Sequence, residues 1–212
     1  KGAWISAAID GYKYTVERVQ TETDADGKPV FSNVNKPLGE RNPKWLNDDY
    51  VKFIRFAQLK MDAVEEGIVG IITNHSWLDN PTFRGMRQSL MRSFDQIYVL
   101  DLHGNFKKKE VAPDGSKDEN VFDIEQGVAI SLFVKKKNLD KGIWLGNIWG
   151  KRLEKYSKLS NSNYSIISMP LEVDKSSYLI KAIDNLEFNN YSEFWQINSI
   201  FPVNSMGVMT KR

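Results

Sequence analysis

The sequence predicts an α/β protein built on a doubly wound, mostly parallel sheet with one antiparallel strand. Three observations predict it. Short apolar runs rich in β-branched residues, at 67–73 and 97–100, are too brief for helices and suit buried strands. Segments of helical periodicity alternate with them through short links. Two more apolar stretches, 121–124 and 128–134, then follow one another around Glu125-Gln126-Gly127 with no helix between, which implies an antiparallel member of the sheet.

The elements follow in chain order. Residues 20–36 are polar and carry the turn signal Asp26-Gly27-Lys28-Pro29, so they read as a loop. Asn42-Pro43 reads as a helix start, with Asn as cap and Pro in the first turn. Behind it Tyr50, Phe53, Ile54, Ala57, Met61 and Val64 share one helical face, which Glu65-Glu66-Gly67 closes. The strand at 67–73 is a continuous apolar run, as expected of one buried on both faces. A second helix places Phe83, Met86, Leu90 and Phe94 inward and Arg84, Arg87 and Arg92 toward solvent. The strand at 97–100 runs into Asp101-Leu102-His103-Gly104-Asn105, and a charged loop over 106–120 follows. Residues 121–124 and 128–134 are expected as two short strands or a hairpin, with later helices near 151–159 and 192–200.

The chain has 212 residues, 29 Lys and Arg against 27 Asp and Glu, and 41% hydrophobic residues, an ordinary globular composition. It holds no Cys, which excludes disulfides, a thiolate zinc site and a cysteine nucleophile. Its two histidines, His75 and His103, argue against a multi-histidine metal site, and no metal is expected. No apolar run reaches the roughly 18 residues of a membrane span and no signal peptide opens the chain, so a cytoplasmic protein is the expectation. The chain runs from Lys1 straight into Ala3-Trp4-Ile5 and stops at Thr210-Lys211-Arg212, which reads as a piece of a larger polypeptide.

Five stretches stand out together: the run from Gly39 through Asn42-Pro43-Lys44-Trp45 to Phe53, the run from Thr73 through Asn74-His75-Ser76-Trp77 to Arg87, Val99-Leu100-Asp101-Leu102-His103-Gly104-Asn105, the run from Asp114 to Ile124, and Ile200-Phe201-Pro202-Val203-Asn204-Ser205. They resemble the adenine-specific DNA methyltransferase module of Type ISP restriction–modification enzymes. The resemblance is dense over 36–137 and thin elsewhere. It implies a Rossmann-like, seven-stranded S-adenosylmethionine-dependent methyltransferase sheet of which this chain is the C-terminal half, incomplete without its upstream half. On that basis 1–36 is a linker after the catalytic motif, 37–140 the second half of the catalytic domain, and 141–212 the connection to the DNA-specificity region. The family's cofactor glycine motif and its Asn-Pro-Pro-Tyr catalytic motif are both missing, and Asn42-Pro43-Lys44-Trp45 departs from the latter at its third position. No catalytic residue is therefore assigned within this chain.

The resemblance also assigns roles. Phe133 would stack on a flipped adenine, since the target amine is out of reach inside a duplex; the alternative is an ordinary core phenylalanine. Phe53 would touch the adenine of S-adenosylmethionine, or serve the apolar face of its helix. Asn74, His75 and Trp77 after the first strand, and His103, Gly104 and Asn105 after the second, would line the cleft, because ligands gather at the carboxyl ends of strands in open α/β sheets. Lys107, Lys108, Lys109, Lys135, Lys136, Lys137, Lys151 and Arg152 would meet the DNA backbone; residues 133–160 alone carry eight Lys or Arg against two acids. The implied partners are double-stranded DNA, the upstream methyltransferase half and the downstream specificity region, with nuclease and helicase parts in such enzymes. The rival expectation is a non-enzymatic DNA-binding or interaction domain on the same sheet.

Overall fold

The computed structural model describes residues 3–39, 43–181, 194–195 and 197–200. The chain divides into two units, Lys1–Lys181 and Ala182–Arg212. In the second, the described part is one helical turn, Ile197–Ile200, with Phe194 and Trp195 exposed before it. Residues 192, 193 and 196 of the late helix expected there, and 201–205 of the family-like stretch, lie outside the described residues.

The first unit opens with helix α1 (Ala3–Ile9) and a 3₁₀ turn, Asp10–Lys13. It continues into strands β1 (Tyr14–Thr23) and β2 (Pro29–Pro37), which pair antiparallel. The loop expected over 20–36 is thus largely a hairpin arm. Its turn falls where the Asp-Gly-Lys-Pro signal lies: the Asp24 carboxylate accepts the Asp26 and Lys28 N–H groups, and Gly27 takes a left-handed φ of 79°. Both β2 faces and most of β1 are exposed, so the alternating burial that marks a strand in sequence is missing.

A 3₁₀ turn at Pro43–Asn47 precedes α2 (Asp49–Asp62), so the helix starts six residues beyond Pro43. Its buried stripe is Val51, Ile54, Gln58 and Met61, which turns Phe53 out to solvent at 65% exposure. The Gln58 amide explains the rotation. It is inside because Tyr12 Oη donates to its oxygen and its nitrogen donates to Ser89 and Ser93.

The main sheet contains β3 (Gly67–Asn74), β4 (Gln96–Asp101), β5 (Val128–Lys135), β6 (Gly142–Asn147) and the short β7 (Met169–Pro170), in the order β3-β5-β4-β6-β7. Between β3 and β4 lies α3 (Arg84–Ser93). Strand β5 is antiparallel to both β3 and β4, while β4 and β6 are parallel. The antiparallel member expected from sequence is β5; residues 121–124 form no strand. The boundary expected at 140 falls between β5 and β6, two strands of one sheet.

Alternation along the strands divides the core. Ile97, Val99, Ala129 and Phe133 point to the face covered by α2 and α3. Tyr98, Leu100, Val128 and Ile130 point to the other, beneath α4 (Arg152–Asn161) and Ile166–Ile167. Strand β3 is not buried on both faces. It ends the sheet, no described strand pairs with its outer edge, and Ile68 and Ile72 are 70% and 52% exposed. Arg87 is wholly buried rather than solvated. Its guanidinium donates to the carbonyls of Trp77, Asn80, Ser177 and Tyr178, tying the 177–178 segment to the helix. Burial brings that guanidinium down to about 10, against the opposing charge of Asp79. No described helix is long and apolar enough to cross a membrane.

Candidate functional site

The carboxyl ends of β3 and β4 lie at one edge of the sheet, beside the amino end of β5, because Asn74 pairs with Val128 and Asp101 with Ala129. Two loops leave this edge. After β3, Asn74 caps a short turn, His75–Leu78, by accepting the Ser76 N–H. After β4, His103 and Gly104 both adopt left-handed φ angles of 53° and 80°. Gly104 is required there, since a Cβ would lie 2.4 Å from Asn120 Cα.

Three carboxylates hold this left-handed bend through three consecutive backbone N–H groups. Asp101 accepts from His103, Asp118 from Gly104 and Glu110 from Asn105, at 2.8, 2.6 and 2.9 Å. Asp118 also accepts the Gly150 N–H and pairs with Lys155, whose ammonium donates to the Leu102 and Glu119 carbonyls. The loop is therefore fixed by charge-assisted bonds rather than by apolar packing.

The histidines meet within the same network. His75 Nδ1 lies 3.0 Å from Asp101, and Asn105 Nδ2 donates to His75 Nε2 at 3.1 Å. His103 Nδ1 lies 3.0 Å from Glu110 and its Nε2 2.8 Å from Asn147 Oδ1, with the ring stacked on Trp149. Gly127 leaves room for the His75 ring: a Cβ there would stand 2.3 Å from it. Burial pushes the Glu110 carboxyl up, but hydrogen bonds from His103 and the Asn105 N–H, with the histidine charges, outweigh it and hold the group at about 2.

The expected cleft residues are thus gathered at one edge, but not as an open wall. His75, His103, Gly104 and Asn105 are buried, Asn74 is half-buried, and Trp77 is fully buried against Phe133. The stacking role for Phe133 does not survive its placement. The ring is 1% exposed and enclosed by Trp77 and Phe94, at centroid distances of 6.0 and 5.1 Å, with no face free for a base. A groove of about 830 Å³ at this edge is lined by Asn105, Phe106, Lys109, Phe122, Ile124 and Leu153. The most open aromatic of this groove among the described residues is Phe106, 77% exposed, against 46% for Phe122.

The expected basic surface is divided. Lys135–Lys137 lie at the opposite end of the sheet, since Lys135 pairs with Gly67 at the start of β3. Lys135 is committed to the end of α2, donating to the Met61 and Val64 carbonyls. Arg152 holds the Asn120 and Phe122 carbonyls and pairs with Asp123. Lys107 and Lys108 are exposed and paired with Glu125 and Asp79, and Lys109, Lys136, Lys137 and Lys151 are exposed.

Sequence reasoning missed Asp101, Glu110, Asp118, Asn147 and Trp149, and it placed Lys155 in the basic surface of 133–160, whereas its ammonium is wholly buried against Asp118. Asp101, two residues before His103, carried a local signal, because Asp accepts its own backbone two residues on. Glu110 meets His103 and Asn105 only 7 and 5 residues back, but across an irregular bend with no periodicity to read, and the partners of the rest lie 14 to 53 residues away, such as Asp118 to Gly104 and Lys155 to Leu102.

No family model matches the chain, and no curated protein matches it. Solved structures do. One is the ATP-dependent Type ISP restriction–modification enzyme LlaBIII bound to DNA, at 25% identity and a TM-score of 0.62 over 87% of this chain and 12% of that one. A nuclease-deletion mutant of the Type ISP enzyme LlaGI in complex with a DNA substrate mimic matches at 21% and 0.62, over 89% and 16%. A DrdV–DNA complex matches at 24% and 0.57, over 82% and 18%. The structural neighbours thus include Type ISP restriction–modification enzymes in complex with DNA, and the chain spans less than a fifth of each neighbour's length.

Proposed function

We propose that the chain is the C-terminal half of the methyltransferase module of a restriction–modification enzyme, acting on double-stranded DNA in the cytoplasm. The observation that carries this reading is the likeness to LlaBIII over 87% of the chain, in a sheet whose β3 edge has no described partner and bears exposed Ile68 and Ile72. An upstream half that continued the sheet from β3 would cover that edge. The reaction would be methylation of the exocyclic amine of a flipped adenine.

S-adenosylmethionine would supply the methyl group. Of this chain, Phe53 fits a contact to its adenine ring, since α2 turns that side chain outward. The chain's larger share is to build the wall at the carboxyl ends of β3 and β4. The Asp101, Glu110 and Asp118 carboxylates fix the 103–105 bend, and the bend presents Phe106 where an extruded base could stack. Lys107, Lys108 and Lys109, next to Phe106, are the basic residues suited to nearby phosphates.

The test is transfer of labelled methyl from S-adenosylmethionine to DNA by the full-length protein, with Phe106→Ala and Phe133→Ala beside it. Adenine labelling that falls sharply in a folded Phe106→Ala protein supports the reading. No labelling of any adenine-containing DNA by folded, cofactor-bound protein moves the assignment to a non-enzymatic DNA-binding module.

A further inference from the structure

We propose that His75, His103 and Glu110 form a binding site for one divalent transition-metal cation, a 2-His-1-carboxylate set that staples the ends of β3 and β4 to the 105–111 loop. Two histidines among 212 residues argue against such a site by count, but the fold brings both to one place. One ligand atom from each of the three residues lies within 4.8 Å of the others.

The hydrogen bonds around the rings assign the ligand atoms. A histidine that binds metal through one nitrogen donates the N–H of the other to a carboxylate or carbonyl. His75 Nδ1 faces the Asp101 carboxylate and His103 Nε2 faces Asn147 Oδ1, at 3.0 and 2.8 Å. With a cation bound those nitrogens would keep their protons, while His103 Nδ1, which donates to Glu110 here, would release its own, so that its lone pair and that of His75 Nε2 take the cation. Glu110 Oε1 stands 3.0 Å from His103 Nδ1, while Oε2 is oriented by the Asn105 N–H. The Asn105 amide nitrogen donates to His75 Nε2, so a hydrogen-bond donor now takes the lone pair a cation would use.

Burial and rigidity support the site. Both histidines are less than a tenth exposed, Trp149 stacks on His103, and Gly127 admits the His75 ring. Tetrahedral ligands about 2.0–2.1 Å from zinc lie roughly 3.4 Å apart, so binding asks three atoms that lie within 4.8 Å of one another to close by about 1.4 Å at most. Two imidazoles and a carboxylate suit zinc, cobalt, iron or manganese rather than calcium or magnesium.

The experiment uses the full-length protein stripped with a chelator, then titrated with zinc alone and with cobalt(II) alone. The expected result is one equivalent of bound zinc that is lost, or weakened at least about tenfold, in Glu110→Gln and His103→Ala but retained in Lys28→Ala on the hairpin arm. Cobalt(II) should give visible absorption bands of a low-coordinate nitrogen and oxygen site. Zinc content equal in wild type and folded Glu110→Gln protein overturns the proposal. Should both variants unfold, wild-type protein without cobalt bands overturns it equally.

Discussion

Lys155 Nζ sits 2.7 Å from Asp118 Oδ1, and both side chains are wholly shielded from solvent. Each is otherwise satisfied: Lys155 by two carbonyls, Asp118 by the N–H groups of Gly104 and Gly150. The pair joins α4 to the bend after β4, so the shape of the candidate site depends on a contact shielded from solvent beside it.

Removing one partner of this pair should be costly. Asp118→Ala or Lys155→Met leaves a buried charge unpaired, with an expected loss of about 3–5 kcal/mol in urea denaturation. The double variant Asp118→Leu with Lys155→Met should recover part of that loss. Additive losses would show that the two groups act independently.

Phe106 and Phe133 should separate function from stability. Phe106→Ala removes an exposed ring and should leave the unfolding free energy within about 0.5 kcal/mol while lowering methyl transfer. Phe133→Ala opens a core cavity between Trp77 and Phe94 and should cost about 3–5 kcal/mol.

Lysines at the two ends of the sheet should differ in DNA binding. Lys109→Ala should reduce the slope of log affinity against log salt by about 1, whereas Lys137→Ala, at the far end, should leave it unchanged. Equal changes in both would move the DNA path away from the site edge.

Arg87→Lys keeps the charge but loses the fork that reaches four carbonyls. Stranding buried carbonyls should cost about 2–3 kcal/mol and expose the 174–181 segment to limited proteolysis. Unchanged protection would assign the anchoring of that segment to other contacts.

The open β3 edge should make the 212-residue chain self-associate in analytical ultracentrifugation, and Ile72→Lys should reduce that association. A clean monomer before the substitution would contradict the proposed placement of an upstream half along β3.

Much of this was legible locally. The strands at 67–73 and 97–100, the helices that flank them, the turn at Asp26-Gly27 and the antiparallel insertion all follow from runs of a few residues and their periodicity. So did the gathering of the loops after β3 and β4 at one edge, because parallel strands place their carboxyl ends together. What the tertiary structure decided is which of those residues face outward. Phe53 and Phe133 exchange expected surroundings: the Gln58 network rotates α2, and the order β3-β5-β4 puts Phe133 between Trp77 and Phe94. Arg87 turns inward for carbonyls about 90 residues later in the chain. His75 and His103 meet Glu110 through pairings in which β5, last of the three strands in sequence, lies between the other two. Periodicity is a property of neighbours along the chain, whereas burial and charge compensation are settled by partners that only folding brings near.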